Sequence, residues 1–370
     1  MKNIDRRQWL KTLGLSTGFA LVGGLEAFAT TVPARPLFDG SIAKLDSNEN
    51  PYGPSNRVRK TLTDTFDQAC RYPFQALGGL VEMIAEKEGV PTDHIVVTGG
   101  STEGLKAAGL TYLAGGGEII AADPTFQAMI NYAETFGAHA HRVPVDAAMG
   151  HDLETMALRV TAQTRLIFIC NPNNPTGTLL DKNKLKDFCN SVTDKAVVFS
   201  DEAYYDFITT PDYPSMVELV KEGKNIIVSK TFSKVYGLAG LRIGYLVARP
   251  DIADRLKRSV MANTNTLAIA AAKEALRDDD FYKFSVSKNV EAKNHIYKTL
   301  DQLGLEYRKS HTNFVFFHSG QPIHELIPAM AKENVKIGRP FPPFYDWARI
   351  STGTMPEMAM FEHALNKVLG

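Results

Sequence analysis

The stretch "NIIVSKTFSKVYGLAGLRIGY" places two lysines, Lys230 and Lys234, directly after an apolar run of strand length. A lysine at the end of a buried strand in a crevice has a lowered pKa and can act as an amine nucleophile toward carbonyl groups. Thr231 and Ser233 lie between the lysines, and Arg242 follows them in an apolar segment. Hydroxyl groups and a guanidinium are donors suited to a phosphate dianion. The stretch therefore predicts a site for a carbonyl compound that carries a phosphate.

An acidic residue follows another apolar run in "AVVFSDEAYYDF". A carboxylate such as that of Asp201 is costly at the end of a buried strand unless a cation or an N–H group faces it. The alternative interpretation of Asp201 is a helix N-cap. Tyr204, three residues further on, can bring a phenol to the same strand end. We therefore expect a positively charged group next to Asp201.

Two further motifs are turns that follow strands. "VTGGSTEGLKAAGL" reads as strand, glycine turn and helix, and N–H groups at a helix N-terminus bind phosphate. It lacks the dinucleotide and P-loop patterns, and a plain turn is its alternative interpretation. "CNPNNPTGTLL" ends its strand abruptly, places Asn174 at the strand end, and allows a cis bond before Pro175. An amine, an acid and a phosphate site together match the aldehyde, ring nitrogen and phosphate of pyridoxal phosphate.

A sheet has to position these groups. Apolar runs of strand length occur at residues 94–98, 118–122, 140–145, 165–170, 196–200, 225–229 and 242–248. Helical segments between them give the βαβ pattern of an α/β fold with a mostly parallel seven-stranded sheet flanked by helices. Because ligands bind at the carboxyl ends of the strands in such sheets, one crevice collects all the polar motifs.

The chain divides into four parts in this interpretation. Residues 1–29 form a signal segment, and residues 30–65 form an N-terminal segment that joins the small domain. Residues 66–262 form the large cofactor-binding domain, and residues 263–370 form a small α+β domain of helices and short strands. A length of 370 residues with 44% hydrophobic content is sufficient for this core.

Composition excludes several classes of protein. The 41 basic and 41 acidic residues give no electrostatic case for nucleic acid or a charged membrane surface. The three cysteines, Cys70, Cys170 and Cys189, are far apart and form no CxxC pair. Neither a metal site nor a disulfide framework is therefore predicted.

The first 29 residues have the pattern of an export signal. A basic segment precedes a mildly apolar stretch and an A-x-A arrangement that ends at Ala29. The stretch falls short of the roughly 20 apolar residues of a membrane span. The pair Arg6 and Arg7 resembles the twin-arginine signal, which carries folded proteins and so implies a cofactor acquired before export. We expect a periplasmic or otherwise exported protein with no stable membrane insertion after signal removal, and an uncleaved helical anchor is the alternative.

The motifs together carry a family resemblance that covers nearly all of the chain after the signal. "NPNNPTG", "SDEAY", "SKTFSKVYGLAGLRIGY" and "RISTGT" resemble the fold-type I pyridoxal-phosphate aminotransferases, and among them most of all the histidinol-phosphate aminotransferases. The resemblance implies that Lys234 binds the cofactor covalently, so that Lys230 is a neighbour. It also implies that Asp201 faces the pyridine nitrogen, and that Tyr204 and Asn174 face the phenolic oxygen.

The remaining cofactor contacts are likewise implied by the resemblance. The ring stacks on Phe126 of "DPTF", and Tyr72 of "RYP" reaches the phosphate of the neighbouring subunit, which implies a homodimer. The phosphate site comprises Gly100, Ser101, Thr102, Thr231, Ser233 and Arg242.

The substrate side rests on two arginines and an early tyrosine. A guanidinium binds a carboxylate in bidentate fashion. Arg349 in "ARISTGT" matches the family's substrate arginine, and Arg339 in "KIGRPF" matches a second one that helps hold a distal phosphate. Asn174 and Tyr52 complete the predicted substrate contacts. "PFPPFYDW", between the two arginines, matches nothing in the family and leaves the substrate open.

The predicted activity is amino-group transfer between an amino acid, or an amine like one, and a 2-oxo acid. Lys234 takes the α-proton as general base, and Asp201 keeps the ring nitrogen protonated. One alternative is a lyase or cyclase that eliminates or replaces a β-substituent on the same fold. A more distant alternative is a noncatalytic periplasmic binding protein.

Overall fold

A computed structural model describes residues 38–370, so the predicted signal at residues 1–29 lies outside the described residues. Its strands are β1 (Ala43–Lys44), β2 (Ile95–Thr98), β3 (Glu118–Asp123), β4 (His139–Pro144), β5 (Thr164–Cys170), β6 (Val197–Asp201), β7 (Ile226–Thr231), β8 (Gly244–Ala248), β9 (Phe314–His318), β10 (Val335–Lys336) and β11 (Trp347–Ser351). Its helices are α1 (Asn56–Thr65), α2 (Phe74–Glu88), α3 (Ser101–Leu113), α4 (Ala128–Thr135), α5 (Leu153–Leu158), α6 (Lys182–Val192), α7 (Val217–Lys221), α8 (Pro250–Lys257), α9 (Thr266–Ala275), α10 (Asp279–Gln302), α11 (Ile323–Lys332) and α12 (Met355–Leu369). In this part of the chain no helix has both the length and the apolarity of a membrane span.

The central sheet has the strand order β2-β8-β7-β6-β5-β3-β4. β8 runs antiparallel to both of its neighbours, and every other pair is parallel. Side chains alternate between the two faces, so that Ile167 and Ile169 join one core cluster and Leu166 and Phe168 join the other. Burial of both faces explains the continuous apolar runs. The predicted α/β fold with a mostly parallel seven-stranded sheet is confirmed.

The seventh predicted strand, residues 242–248, begins two residues too early. Arg242 has φ 57°, a left-handed conformation that ends the short helical turn Ala239–Leu241, and β8 begins at Gly244. A left-handed residue cannot continue an extended strand, which is why the apolar pattern alone misplaced this start.

The small domain contains the pairs β9–β11 and β1–β10 together with α10, α11 and α12. β1 pairs parallel with β10, so this strand of the N-terminal segment belongs to the small domain, whereas Val58 of α1 joins the core of the large sheet. The predicted boundary at residue 262 precedes α9, whose buried alanines share the core of the large sheet. Along the chain, the change from the core of the large sheet to the core of the small domain therefore comes after α9.

The topology brings the polar motifs together at one edge of the sheet. The carboxyl ends of β2, β5, β6 and β7 point the same way because these strands run in one direction. β8 runs the opposite way, so the turn that precedes it also reaches this edge. The small domain adds residues of β11 to the same crevice.

Candidate active site

A cavity of about 710 Å³ lies at this edge, between the large and small domains. It is lined by most of the residues that the sequence predicted, namely Ser101, Thr102, Phe126, Asn174, Asp201, Tyr204, Ser233, Lys234, Arg242, Arg339 and Arg349. Within residues 38–370, no three His, Cys, Asp or Glu side chains group as metal ligands.

Lys234 reaches the cavity from the turn that follows β7. Its Nζ donates to the carbonyl oxygen of Asn48 at 2.8 Å and lies 5.6 Å from the ring centroid of Tyr204. Burial and the positive charge of Arg349 lower the pKa of Lys234 to about 8, against the opposing charges of Glu49 and Asp201. A lysine with this pKa is neutral in an appreciable fraction of molecules near pH 7, as a nucleophile or general base requires.

Asp201 is the last residue of β6 and is only 3% exposed. Its Oδ1 accepts the backbone N–H of Ala203 at 3.1 Å, whereas the cation Lys230 pairs with the neighbouring Glu202 instead. Burial raises the pKa of Asp201 to about 7, although the charge of Lys234 opposes the shift. A buried acid without an ion pair suits the protonated ring nitrogen of a heterocycle.

Tyr204 and Asn174 face the same cavity. The Tyr204 hydroxyl accepts a hydrogen bond from Nδ2 of Asn48 at 2.9 Å, and burial raises the pKa of Tyr204. Asn174 precedes a cis peptide bond to Pro175, and its Oδ1 accepts a hydrogen bond from Arg349 at 2.7 Å. An amide and a phenol are thus both available to an oxygen of the bound molecule.

Asn48 is a site residue that sequence reasoning missed. It contacts Lys234 through its carbonyl, Tyr204 through its amide nitrogen and Ser351 through its amide oxygen. The loop "DSNEN" has no strand or helix period, and Asn48 has a left-handed φ of 53°. Asn adopts that conformation more readily than most non-glycine residues, but the conformation is visible only in the structure, so the sequence carried no signal for this contact.

The other end of the cavity is rich in donors. Gly100 has φ 90°, and a Cβ there would collide with the Arg242 guanidinium. α3 begins at Ser101 without a side-chain cap, which leaves its first N–H groups open to an anion. Thr231 does not line the cavity itself, and its hydroxyl donates to Oγ of Ser233, which does, at 2.9 Å.

These groups fit pyridoxal phosphate. The amine of Lys234 matches its aldehyde, the buried Asp201 matches its ring nitrogen, and the donor-rich end around Gly100 matches its phosphate. The half-buried Phe126 lines the cavity and can cover the ring face.

Arg349, on β11, is a buried guanidinium that no carboxylate of residues 38–370 pairs with. It donates to Asn174 Oδ1 at 2.7 Å and to the Asp46 carbonyl at 2.8 Å. Its Nε is buried and has no hydrogen-bond acceptor among the described residues. Burial lowers the pKa of Arg349 to about 10, and the charge of Arg339 adds to that effect. The free edge suits a substrate carboxylate or phosphate.

Arg339 approaches the same space from the segment "KIGRPF". Its NH1 donates to the Pro340 carbonyl at 2.8 Å, and its guanidinium lies 4.4 Å from the Phe341 ring centroid. Arg349 lies 4.8 Å from the same ring. Phe341 therefore contacts both cations from within a buried cluster, and of the unmatched segment "PFPPFYDW" the residue that lines the cavity is Pro340.

Two predicted residues lie away from the cavity. Tyr72 is 81% exposed and stacks on Phe74, with a centroid distance of 5.7 Å. Tyr52 packs edge-on against Phe284 at 5.1 Å, and burial raises its pKa to about 12. Tyr52 lines a separate small pocket, so its placement gives no support to the predicted substrate contact.

Comparison with known proteins agrees with this geometry. The family model for aminotransferase class I and II matches residues 41–368. The histidinol-phosphate aminotransferase of Moorella thermoacetica is 37% identical over 348 residues, which cover 91% of this chain and 90% of that protein. Histidinol-phosphate aminotransferase 2 of Methylococcus capsulatus is 37% identical over 94% of this chain and 98% of its own length.

The fold has relatives among solved structures. The histidinol-phosphate aminotransferase of Sinorhizobium meliloti, solved in complex with pyridoxal-5'-phosphate, superposes with a TM-score of 0.82. The match covers 96% of this chain and 99% of that one at 23% identity. At this identity, the likeness supports the fold.

Proposed function

The chain belongs to the class I and II aminotransferases, and from that premise we propose that its amine substrate is histidinol phosphate or a close analogue. It is a pyridoxal-phosphate-dependent enzyme that moves an amino group between an amino acid, or an amine like one, and a 2-oxo acid. The predicted cofactor and the predicted enzyme class are both confirmed. The proposal concerns the identity of the donor, which relatives named for histidinol phosphate support at 37% identity.

The single observation that carries the proposal is the buried guanidinium of Arg349 with its unpartnered Nε. Removing a guanidinium from water is unfavourable unless an anion binds it, so the cavity is built for an anionic substrate. Arg339 adds a second cation, and Phe341 lies between the two. An amine that carries a phosphate matches these two guanidinium groups.

The chain's own side chains perform the proton transfers. Bound pyridoxal phosphate supplies an aldehyde for the amine and a ring that accepts an electron pair. Lys234, with its lowered pKa, takes the proton from the substrate carbon and later returns one. Asp201 holds the proton on the ring nitrogen, and Arg349 orients the substrate through its anionic group.

The test is a panel of amines with 2-oxoglutarate as acceptor, followed by amino-acid analysis. We expect histidinol phosphate to give acceptor-dependent glutamate with the highest kcat/KM of the panel. R349Q should reduce kcat/KM by roughly 100-fold, because a charge-assisted bidentate contact is lost. R57K, at an exposed ion pair with Glu274, is the matched control.

Two outcomes would contradict the assignment. Ammonia and pyruvate formed from β-substituted amino acids without any acceptor would favour the lyase or cyclase alternative. A preference for amines without a distal anion would leave transamination in place but refute the proposed donor.

We propose that the active unit is a homodimer in which Tyr72 serves the site of the partner. Phe66, Tyr72 and Phe74 are 66%, 81% and 68% exposed, a concentration of aromatic surface that suits an interface. Mixed dimers of Y72A and K234A test the idea, since one site in each then combines Lys234 with an intact partner tyrosine. Activity should return on mixing, and failure to return in a proven mixed dimer would reject it.

We also propose export through the twin-arginine route, supported by Arg6, Arg7 and the A-x-A arrangement that ends at Ala29. The paired substitution R6K/R7K should keep the protein in the cytoplasm. The control K2R should leave export unchanged, and N-terminal sequencing of the exported protein should begin after Ala29. Cytoplasmic wild-type protein with its first 29 residues intact would overturn the proposal.

A further inference from the structure

A second cleft, of about 860 Å³, lies outside the site described above. Its large-domain wall comes from the residues around His151, from the segment Thr178–Asp181 and from α6. Its other wall is formed by Arg308, Lys309 and His311 of the small domain. The cleft therefore spans both domains, on elements that do not line the catalytic cavity.

Two side chains of this cleft, the buried His151 and the partly exposed Arg308, have buried nitrogen atoms with unused hydrogen-bonding capacity. His151 is 3% exposed, and apart from an interaction with the Asn173 side chain its ring nitrogens have no hydrogen-bond partner among the described residues. Arg308 pairs through NH1 with Glu306 at 2.6 Å, but its Nε is buried and has no acceptor among residues 38–370. Buried polar groups in proteins are normally bonded, so two such groups on one cleft indicate a ligand.

The carboxylates of the cleft divide into two groups. Asp146, Asp152 and Asp181 each accept backbone N–H groups of their own loops or helix starts through Oδ1. Glu154 and Asp187 are exposed and make no ion pair within residues 38–370. An acidic acceptor therefore remains available beside the buried donors.

The lining also offers a cation and an apolar surface. Lys184, one turn before Asp187 on α6, has no carboxylate partner among the described residues. Leu153, Leu180 and Phe188 line the same cleft. The unpaired nitrogen atoms can bind a carboxylate, the unpaired carboxylates can bind an ammonium group, and the apolar surface can bind a hydrocarbon side chain. This combination matches a zwitterion with an apolar side chain.

We propose that this cleft binds a free α-amino acid with an apolar side chain, its carboxylate toward Arg308 and His151 and its ammonium toward Asp187 or Glu154. The site is separate from the catalytic cavity and does not depend on the identity of the amine donor. The cleft adjoins the loop that carries Asn174, since the N–H of His311 donates to the carbonyl of Gly177 at 2.9 Å. The bound amino acid contacts both domains there.

The experiment is calorimetric titration of the full-chain holoenzyme with α-methyl-leucine, which has no α-proton and cannot be transaminated. Excess 2-oxoglutarate occupies the catalytic cavity during the titration. We expect one additional site per chain. 4-Methylpentanoate, which lacks the ammonium group, and isoamylamine, which lacks the carboxylate, should each bind at least about tenfold more weakly.

Two variants locate the binding. R308Q removes the guanidinium and L180W fills the cleft, and each should weaken α-methyl-leucine binding by about tenfold or more without changing the absorption of the bound cofactor. R255Q is the matched control: Arg308 lies over the Trp347 ring at 5.1 Å, and Arg255 likewise lies over the Tyr112 ring at 4.6 Å. Absence of binding to the wild type, or binding that neither R308Q nor L180W weakens, would overturn the site. Equal binding of either analogue would overturn the ligand class.

Discussion

The two lysines of "SKTFSK" should respond in opposite ways to the same substitution. We consider K230M and K234M, which each replace an ammonium by an apolar side chain of similar length. Lys230 Nζ lies 3.3 Å from Glu202 and 3.4 Å from Glu88, and both carboxylates are almost fully buried. Those two charges hold the pKa of Lys230 well above its usual value, against the opposing effect of burial.

The magnitudes follow from these contacts. Removal of one partner from a buried ion pair costs about 3–5 kcal/mol of unfolding free energy, because an uncompensated charge stays in the core. Each carboxylate keeps hydrogen bonds, from Tyr245 to Glu88 at 2.6 Å and from Ser215 to Glu202 at 2.7 Å, which favours the lower end of that range. Within the described part of the chain Lys234 forms no ion pair and donates one hydrogen bond, so K234M should change stability by about 1 kcal/mol or less.

The assay combines urea unfolding of the cofactor-free proteins with borohydride reduction of the cofactor-loaded ones. K230M should unfold at a clearly lower urea concentration yet keep covalently attached cofactor after reduction. K234M should unfold near the wild-type midpoint and retain no covalent cofactor. Cofactor attached to K234M, or a wild-type unfolding midpoint for K230M, would refute the reasoning.

Three more predictions concern the cavity itself. The rate of covalent cofactor attachment should rise with pH to a plateau above about pH 8, since only neutral Lys234 attacks, and R349Q should move the midpoint upward in stopped-flow absorbance because it removes a nearby positive charge. The folded-state pKa of Asp201, about 7, lies above its usual 3.8, so cofactor-free protein should lose up to about 4 kcal/mol of stability between about pH 4 and pH 7. Urea titrations of D201N should lack that loss, and an identical pH profile would contradict it. G100A should weaken cofactor binding at least about tenfold in absorbance titrations, whereas G78A, where a Cβ meets nothing, should leave it unchanged.

Strand positions and strand ends were predictable because the apolar runs and the polar residues that follow them indicate the same strand boundaries. Apolar runs in a sheet buried on both faces are continuous, and polar residues directly after them collect at the carboxyl edge. Asp201 and Lys234 are therefore found in one cavity, as predicted. Asn48 could not be found this way, because its contact with Lys234 joins a patternless loop to a residue 186 positions away. Tyr52 is the opposite case, a residue that was predicted to contact the substrate but lies elsewhere. Nothing in the sequence indicated that its ring packs against Phe284.

The distinction between the two lysines comes from the end of the strand and could not come from their spacing. Lys230 lies within β7, where alternation places it on the same face as Ile226 and Val228, toward the cluster that contains Tyr245. A charge on that face needs a buried counter-charge, and Glu88 and Glu202 supply it. Lys234 lies past the last residue of β7, so no ladder fixes its direction, and its side chain can turn into the crevice. At the end of β6 the order is reversed, because Asp201, the last residue of the strand, lines the cavity, whereas Glu202, the next residue, binds Lys230. Adjacent polar residues at a strand end thus divide into one that stabilises the core and one that performs chemistry, according to the face each meets.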